Sequence, residues 1–253
     1  PTLTSISIAL DNDHNPALAK VGDVIALIFE VSEEVDSLNA YINSSPAAIT
    51  GSGTTWTARK TMDNHTDPEG QVNFSVNFSD QSGNQGVSVI STTDDTSVRF
   101  DKTQPTAALS YSTPGPYHKN QWITIDAEFS EQMLSSINPS LNILPLQGGV
   151  SSPCTMSWLT DNSSSCEFTI KEGDTEVYVI LHDSTDLAGN LITSEPTSGG
   201  QFDIDDNPPT AEISFVTGTG NPYPGPYRQG GDNLTIEVTF SEEMKPTPSL
   251  GFL

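Results

Sequence analysis

The dipeptide Pro-Thr stands at residues 1, 105 and 209, a spacing of 104 residues each time. A fixed period of that length, punctuated by turn-rich seams, constrains the chain to tandem domains. Phe100-Asp101-Lys102-Thr103-Gln104 leads into the second Pro-Thr, and Phe202-Asp203-Ile204-Asp205-Asp206-Asn207-Pro208 into the third. A residue before proline is held extended, so each seam is a stiffened lead into the next unit. The 253 residues then divide into two full units, 1–104 and 105–208, and the opening part of a third, 209–253.

Each unit reads as strands. Ile6, Ile8 and Leu10 alternate with small or polar residues, Val24 to Val31 is a β-branched central run, and Val72, Phe74, Val76 and Phe78 alternate again. Shorter strands are expected at 38–42, 48–49, 56–59, 87–90 and 98–100. The second unit repeats the order at 107–111, 123–129, 141–144, 154–159, 166–170 and 177–181, with its last strand ending at 203. The third begins with Ala211, Ile213 and Phe215, then Leu234, Ile236, Val238 and Phe240. Pro-Gly-Pro-Tyr recurs at 114–117 and 224–227. No helical period appears. About seven short strands per unit with frequent turn signals is the pattern of a β-sandwich, so the expected fold is all-β with immunoglobulin-like domains. The third unit stops after two strands, so either more chain follows Leu253 or a neighbour supplies the missing strands, and continuation is expected. Pro1 is no initiator, so the N-terminus reads as a processed or trimmed end.

The composition excludes several functions. Residues 1–104 carry 14 acids and 5 bases, 105–208 carry 14 and 2, and the remainder 5 and 2, for a total formal charge of -24. Acidity spread over every unit repels nucleic acid and anionic membranes, and it can hold divalent cations. No run of 18 apolar residues is present. His14, His65, His118 and His182 are scattered, without the spacing of a zinc site, and no serine-elbow or phosphate-loop motif occurs. No catalytic constellation is therefore expected. Trp56, Trp122 and Trp158 lie in or beside strands, where core or half-buried packing is expected.

Cys154 and Cys166, the two cysteines, flank the serine-rich stretch 161–165. Placed on the two arms of a hairpin they are expected to form a disulfide, which implies an oxidising compartment. The alternative is a pair of reduced core thiols. Sequons at Asn43, Asn64, Asn73, Asn77, Asn162 and Asn233 permit glycosylation without showing it.

Three features now combine: Ser32-Glu33 and Ser130-Glu131 after the second strand, the turns Asp80 to Asn84 and Asp186 to Asn190, and the closing pairs Phe100-Asp101 and Phe202-Asp203. At this fixed period they resemble the bacterial immunoglobulin-like repeats that occur in tandem in large surface adhesins and extracellular fibres. The stretch Asp203 to Pro209 also resembles the calcium linker of cadherins.

In a sandwich of this kind, the closing residues of one unit meet the loops at the N-terminal pole of the next. At the second seam Asp203, Asp205, Asp206 and Asn207 are expected to face Glu242 and Glu243 and to hold Ca²⁺, which takes six to eight oxygens. At the first seam Asp101 is expected to face Glu131, Asp183 and Asp186, with Asp11, Asp13, Asp63 and Asp67 in nearby loops. There the single acid and Lys102 weigh against an ion, so the first joint is expected to be the hinge and the second the rigid one.

These expectations add up to a non-catalytic segment of an extracellular stalk, whose partners are neighbouring repeats of the same long chain. One rival is a module that recognises a surface glycan or a protein receptor, using Trp122 or Trp158. The other is a subunit of a self-assembling filament or sheath, completed by strand exchange.

Overall fold

A computed structural model of the chain describes residues 1–12, 15–146, 151–171, 173, 175–217 and 234–244. Asp13, His14, Glu172, Asp174, Asn233 and the second Pro-Gly-Pro-Tyr at 224–227 lie outside the described residues. All the regular structure described is β. The first repeat contains β1 (Leu3–Asp11), β2 (Leu18–Ala19), β3 (Val24–Val31), β4 (Ser37–Ile42), β5 (Ser45–Pro46), β6 (Ala48–Ser52), β7 (Thr55–Thr61), β8 (Gly70–Gln71), β9 (Phe74–Ser79) and β10 (Arg99–Phe100). The second contains β11 (Ala107–Tyr111), β12 (Trp122–Phe129), β13 (Ser140–Pro145), β14 (Ser152–Thr155), β15 (Ser157–Thr160), β16 (Ser163–Thr169), β17 (Thr175–His182) and β18 (Gln201–Ile204).

The two repeats share most of one topology and differ at the closing strand. One sheet runs β1-β3-β7-β6 in the first and β11-β12-β16-β15 in the second. The facing sheet runs β5-β4-β9 in the first and β14-β13-β17-β18 in the second. In immunoglobulin lettering these are A-B-E-D against C-F in the first, whose closing strand β10 lies in a separate three-stranded sheet, β2-β10-β8, and A-B-E-D against C-F-G in the second, each with a short C′ strand on the C edge; the fold is two immunoglobulin-like β-sandwiches in tandem. Strand alternation explains how each fills. In β12 Ile123, Ile125, Ala127 and Phe129 are buried, while Trp122 and Glu128 on the opposite face are exposed. Each sandwich has its own core: Phe29, Ile42, Met62 and Phe100 belong to the first, and Tyr117, Ile125, Leu141 and Met156 to the second.

Three expected features are placed differently. Val87 to Ile90 forms no strand; Val89 makes an isolated bridge to Val76, while Val87 and Ile90 are exposed. The run 154–159 is not one strand but two, β14 and β15, in opposite sheets, with the fully buried Met156 at the switch. Consequently Cys154 and Cys166 are not on two arms of a hairpin. Their disulfide joins β14 in one sheet to β16 in the other, across the sandwich.

Residues 205–253 form a separate compact unit. In it β19 (Ala211–Thr217) pairs antiparallel with β20 (Leu234–Phe240), setting Ile213 opposite Val238 and Phe215 opposite Ile236.

Candidate metal centre at the first joint

The Pro-Thr punctuation marks a recurring contact. The Thr of each Pro-Thr pairs with the Ser that follows the second long strand. Thr106 N donates to Ser130 Oγ (3.0 Å) and Ser130 N to the Thr106 carbonyl (2.9 Å). The same reciprocal pair joins Thr2 with Ser32 and Thr210 with Ser241. This clasp fixes the start of each repeat to its B–C loop. It therefore sets Glu131, one residue on, beside the incoming chain.

The turn after the F strand is a second repeated device. Asp186 Oδ1 accepts from the backbone N–H of Ala188 (2.8 Å) and Asn190 (2.9 Å), and Oδ2 accepts from Asn190 Nδ2 (2.9 Å). Asp80 organises its own turn alike, accepting at Oδ1 from the N–H of Ser82 and Asn84 and at Oδ2 from Asn84 Nδ2. Gly83 and Gly189, at φ 84° and 90°, take the left-handed backbone that the fourth position of this turn needs. Asp80 is held below the ordinary carboxylate range, chiefly by its bond from the Asn84 side chain. In the second repeat the turn is buried, with Asp186 only 1% exposed.

The B–C loop and this turn touch directly through an antiparallel bridge between Met133 and Asp186. Asn190 Nδ2 also donates to the Asp101 carbonyl (3.2 Å), which brings in the closing residue of the preceding sandwich. Carboxylate oxygens of Asp101, Glu131 and Asp186 consequently lie within 4.8 Å of one another. Two oxygens on opposite sides of one calcium ion are separated by about 4.6–5.2 Å, twice the Ca–O distance, so the three fit around a single hard cation. Among the described residues this is the one such cluster of three.

The electrostatics match a cation site. Glu131 is pushed up to about 7, first by burial and then by the charges of Asp186, Asp101 and Glu69. Asp101 is also raised, mostly by burial, with Asp186 and Glu69 adding to it, while the N–H of Thr103 and the charge of Arg99 oppose. Lys102 does not neutralise the cluster by ion pairing. Its ammonium donates instead to the carbonyls of Asn64 (2.8 Å) and Asp67 (2.9 Å).

The remaining expected residues fall elsewhere. Asp183 is exposed and outside the cluster. Asp63 caps its own turn, accepting from the N–H of His65 and Thr66, and Asp67 is buried against Lys60. Asp11 is exposed at the end of β1. Asp203 is exposed on β18; Asp205 accepts from the N–H of Asn207, and Glu242 and Glu243 are exposed after β20. Sequence reasoning missed Glu69, whose field reaches Asp101 and Glu131, and Asn190, which ties the turn to the seam. Asn190 was legible as the last residue of the Asp-x-x-Gly-Asn turn; nothing in the sequence marked Glu69. Of the tryptophans, Trp56 and Trp158 are half-buried as expected, but Trp122 is 65% exposed.

No protein-family description matches the chain, and no curated protein matches it. Among solved structures it is similar to the FN1-FN3 domains of chicken CNTN1, at 8% identity and a TM-score of 0.27, over 75% of this chain and 63% of that one.

Proposed function

We propose that the chain is a non-catalytic segment of an extracellular stalk or adhesin-like fibre, and that its first joint is stiffened by a calcium-class cation. The observation that carries this reading is the convergence of Asp101, Glu131 and Asp186 from two successive repeats. Asp101 comes from the end of one sandwich, Glu131 and Asp186 from two loops of the next. An ion bound there would cross-link the repeats and offset the burial, and after it the mutual repulsion, that raise Glu131 and Asp101. The ligands are all carboxylates, which suits Ca²⁺ or Mg²⁺ over softer metals. The flexible coordination of Ca²⁺ fits a site assembled from separate loops, with waters completing the shell. The inter-sheet disulfide supports an oxidising, extracellular setting. The segment's partners would be neighbouring repeats of the same long chain.

A melting scan of the intact chain tests the joint. Calcium should raise the melting temperature and chelator should lower it, in wild type but not in Asp186→Asn. Identical curves with and without calcium would remove the cation from the account. A second reading, glycan binding, is favoured by one observation, the 65% exposure of Trp122. A glycan array comparing wild type with Trp122→Ala tests it; specific sugar binding lost in the variant would establish it.

A further inference from the structure

The residues of the first seam grip the two sandwiches in turn, and none of these contacts needs a metal. The Asp101 carbonyl accepts from Asn190 Nδ2 (3.2 Å) on the second sandwich. Lys102 Nζ then reaches back to the first, to the carbonyls of Asn64 (2.8 Å) and Asp67 (2.9 Å). Thr103 Oγ1 also binds the first, donating to Glu69 Oε2 (2.8 Å). Gln104 Nε2 returns to the second at the Leu191 carbonyl (3.2 Å), and the Pro105 carbonyl accepts from Thr193 N–H (3.0 Å).

The surface that Lys102 meets is prebuilt. Residues 63–67 form one helical turn, closed by Asp67 N–H to the Asp63 carbonyl (3.2 Å). The turn is anchored from below. Asp67, with no side-chain exposure, accepts from Asp63 N–H (2.8 Å) and pairs with Lys60, whose side chain is only 10% exposed. A turn that ends after one cycle leaves carbonyls facing outward without helical donors, and an ammonium satisfies them with charge-assisted bonds. The acids on either side, Asp63 and Glu69, favour a cation at that place.

We propose that Lys102 is the positioning residue of a cation-independent lock, which holds the first seam to the 63–67 turn and makes this joint stiff even without metal. The seam residue that argues for a hinge in the sequence is thus the lock. This goes beyond the cation reading and does not rest on it, because Lys102 binds carbonyls of the first sandwich and not the carboxylate cluster.

The test is the distance distribution between nitroxide labels at Ser52→Cys and Ser157→Cys, exposed positions on the two sandwiches, measured on the intact chain in chelator. The native cysteines are paired, so only the introduced thiols react. The expected result is a single narrow distribution that Lys102→Met broadens roughly two-fold and Lys102→Arg restores, with the melting temperature of each sandwich little changed. A broad distribution for the parent chain in chelator overturns the lock, as does a Lys102→Met distribution as narrow as the parent's. If the parent narrows only when calcium is added, the lock fails and the cation reading survives. If it is narrow in chelator and calcium changes nothing, the lock stands and the cation reading loses its support.

Discussion

Replacing Glu131 with Gln removes one charge from the cluster, and its effect should change sign with the presence of cation. The folded-state proton affinity of Glu131 is raised from 4.5 to about 7, so the neutral form is the favoured one in the metal-free fold. Stability from that neutral form is fully present below the unfolded value and is lost as pH rises through the folded one. The change corresponds to roughly 3 kcal/mol if fully expressed, and the half-open position reduces it by solvent screening to about 1–2 kcal/mol. In chelator at about pH 8, Glu131→Gln should therefore melt above wild type, by roughly 2–8 °C for a body of this size. At about pH 5 the gap should shrink, because the wild-type Glu131 carboxyl is then mostly protonated. In millimolar calcium the order should reverse, since Gln supplies no charge to the ion. Differential scanning calorimetry across these conditions reads all three. A variant that tracks wild type at both pH values in chelator would refute the electrostatic reasoning. One that gains as much from calcium as wild type would exclude Glu131 as a ligand.

Three further outcomes follow from the geometry. Loss of the Cys154–Cys166 bridge, which closes a loop of separation 12, should cost the second sandwich about 3 kcal/mol in denaturant titration; an unchanged midpoint would contradict its structural role. Asn190→Ala should cost about 1–3 kcal/mol because it removes the donor to the buried Asp186 Oδ2 and frees the Asp101 carbonyl, whereas Asn84→Ala, in the exposed twin of that turn, should cost less than about 1 kcal/mol. Equal losses in chemical denaturation would show that burial of the turn adds nothing. Trp122→Ala should stay within about 0.5 kcal/mol of the parent, while Trp158→Ala, which packs on Phe129 and donates to the Ile137 carbonyl, should lose about 2–4 kcal/mol.

The repeat and the sandwich were legible because their causes are local. Pro-Thr and Ser-Glu are the two halves of the Thr–Ser clasp, and period-two alternation reports directly which side of a strand is buried. The exchange of sheets at Met156 was not legible, since alternation says nothing about which partner a strand takes. Val87 to Ile90 misled for the same reason: a short apolar run satisfies a strand pattern whether or not a neighbour pairs with it. At the first joint, the residue types of Asp101, Glu131 and Asp186 and the poles of the fold could bring the three together. The target of Lys102 could not be read, because it is a pair of backbone carbonyls, which leave no trace in side-chain identity. By charge alone Lys102 is a counter-charge to the cluster, whereas its hydrogen bonds go to another loop.

The proposed cation is held by the carboxylates of two successive sandwiches. Isothermal titration of calcium into the chelator-stripped chain, beside Asp101→Asn/Glu131→Gln/Asp186→Asn, tests it most directly. A saturable site present in the parent and absent from the triple variant is predicted. Calcium binding of equal stoichiometry and heat in both proteins, or none in the parent, would contradict it.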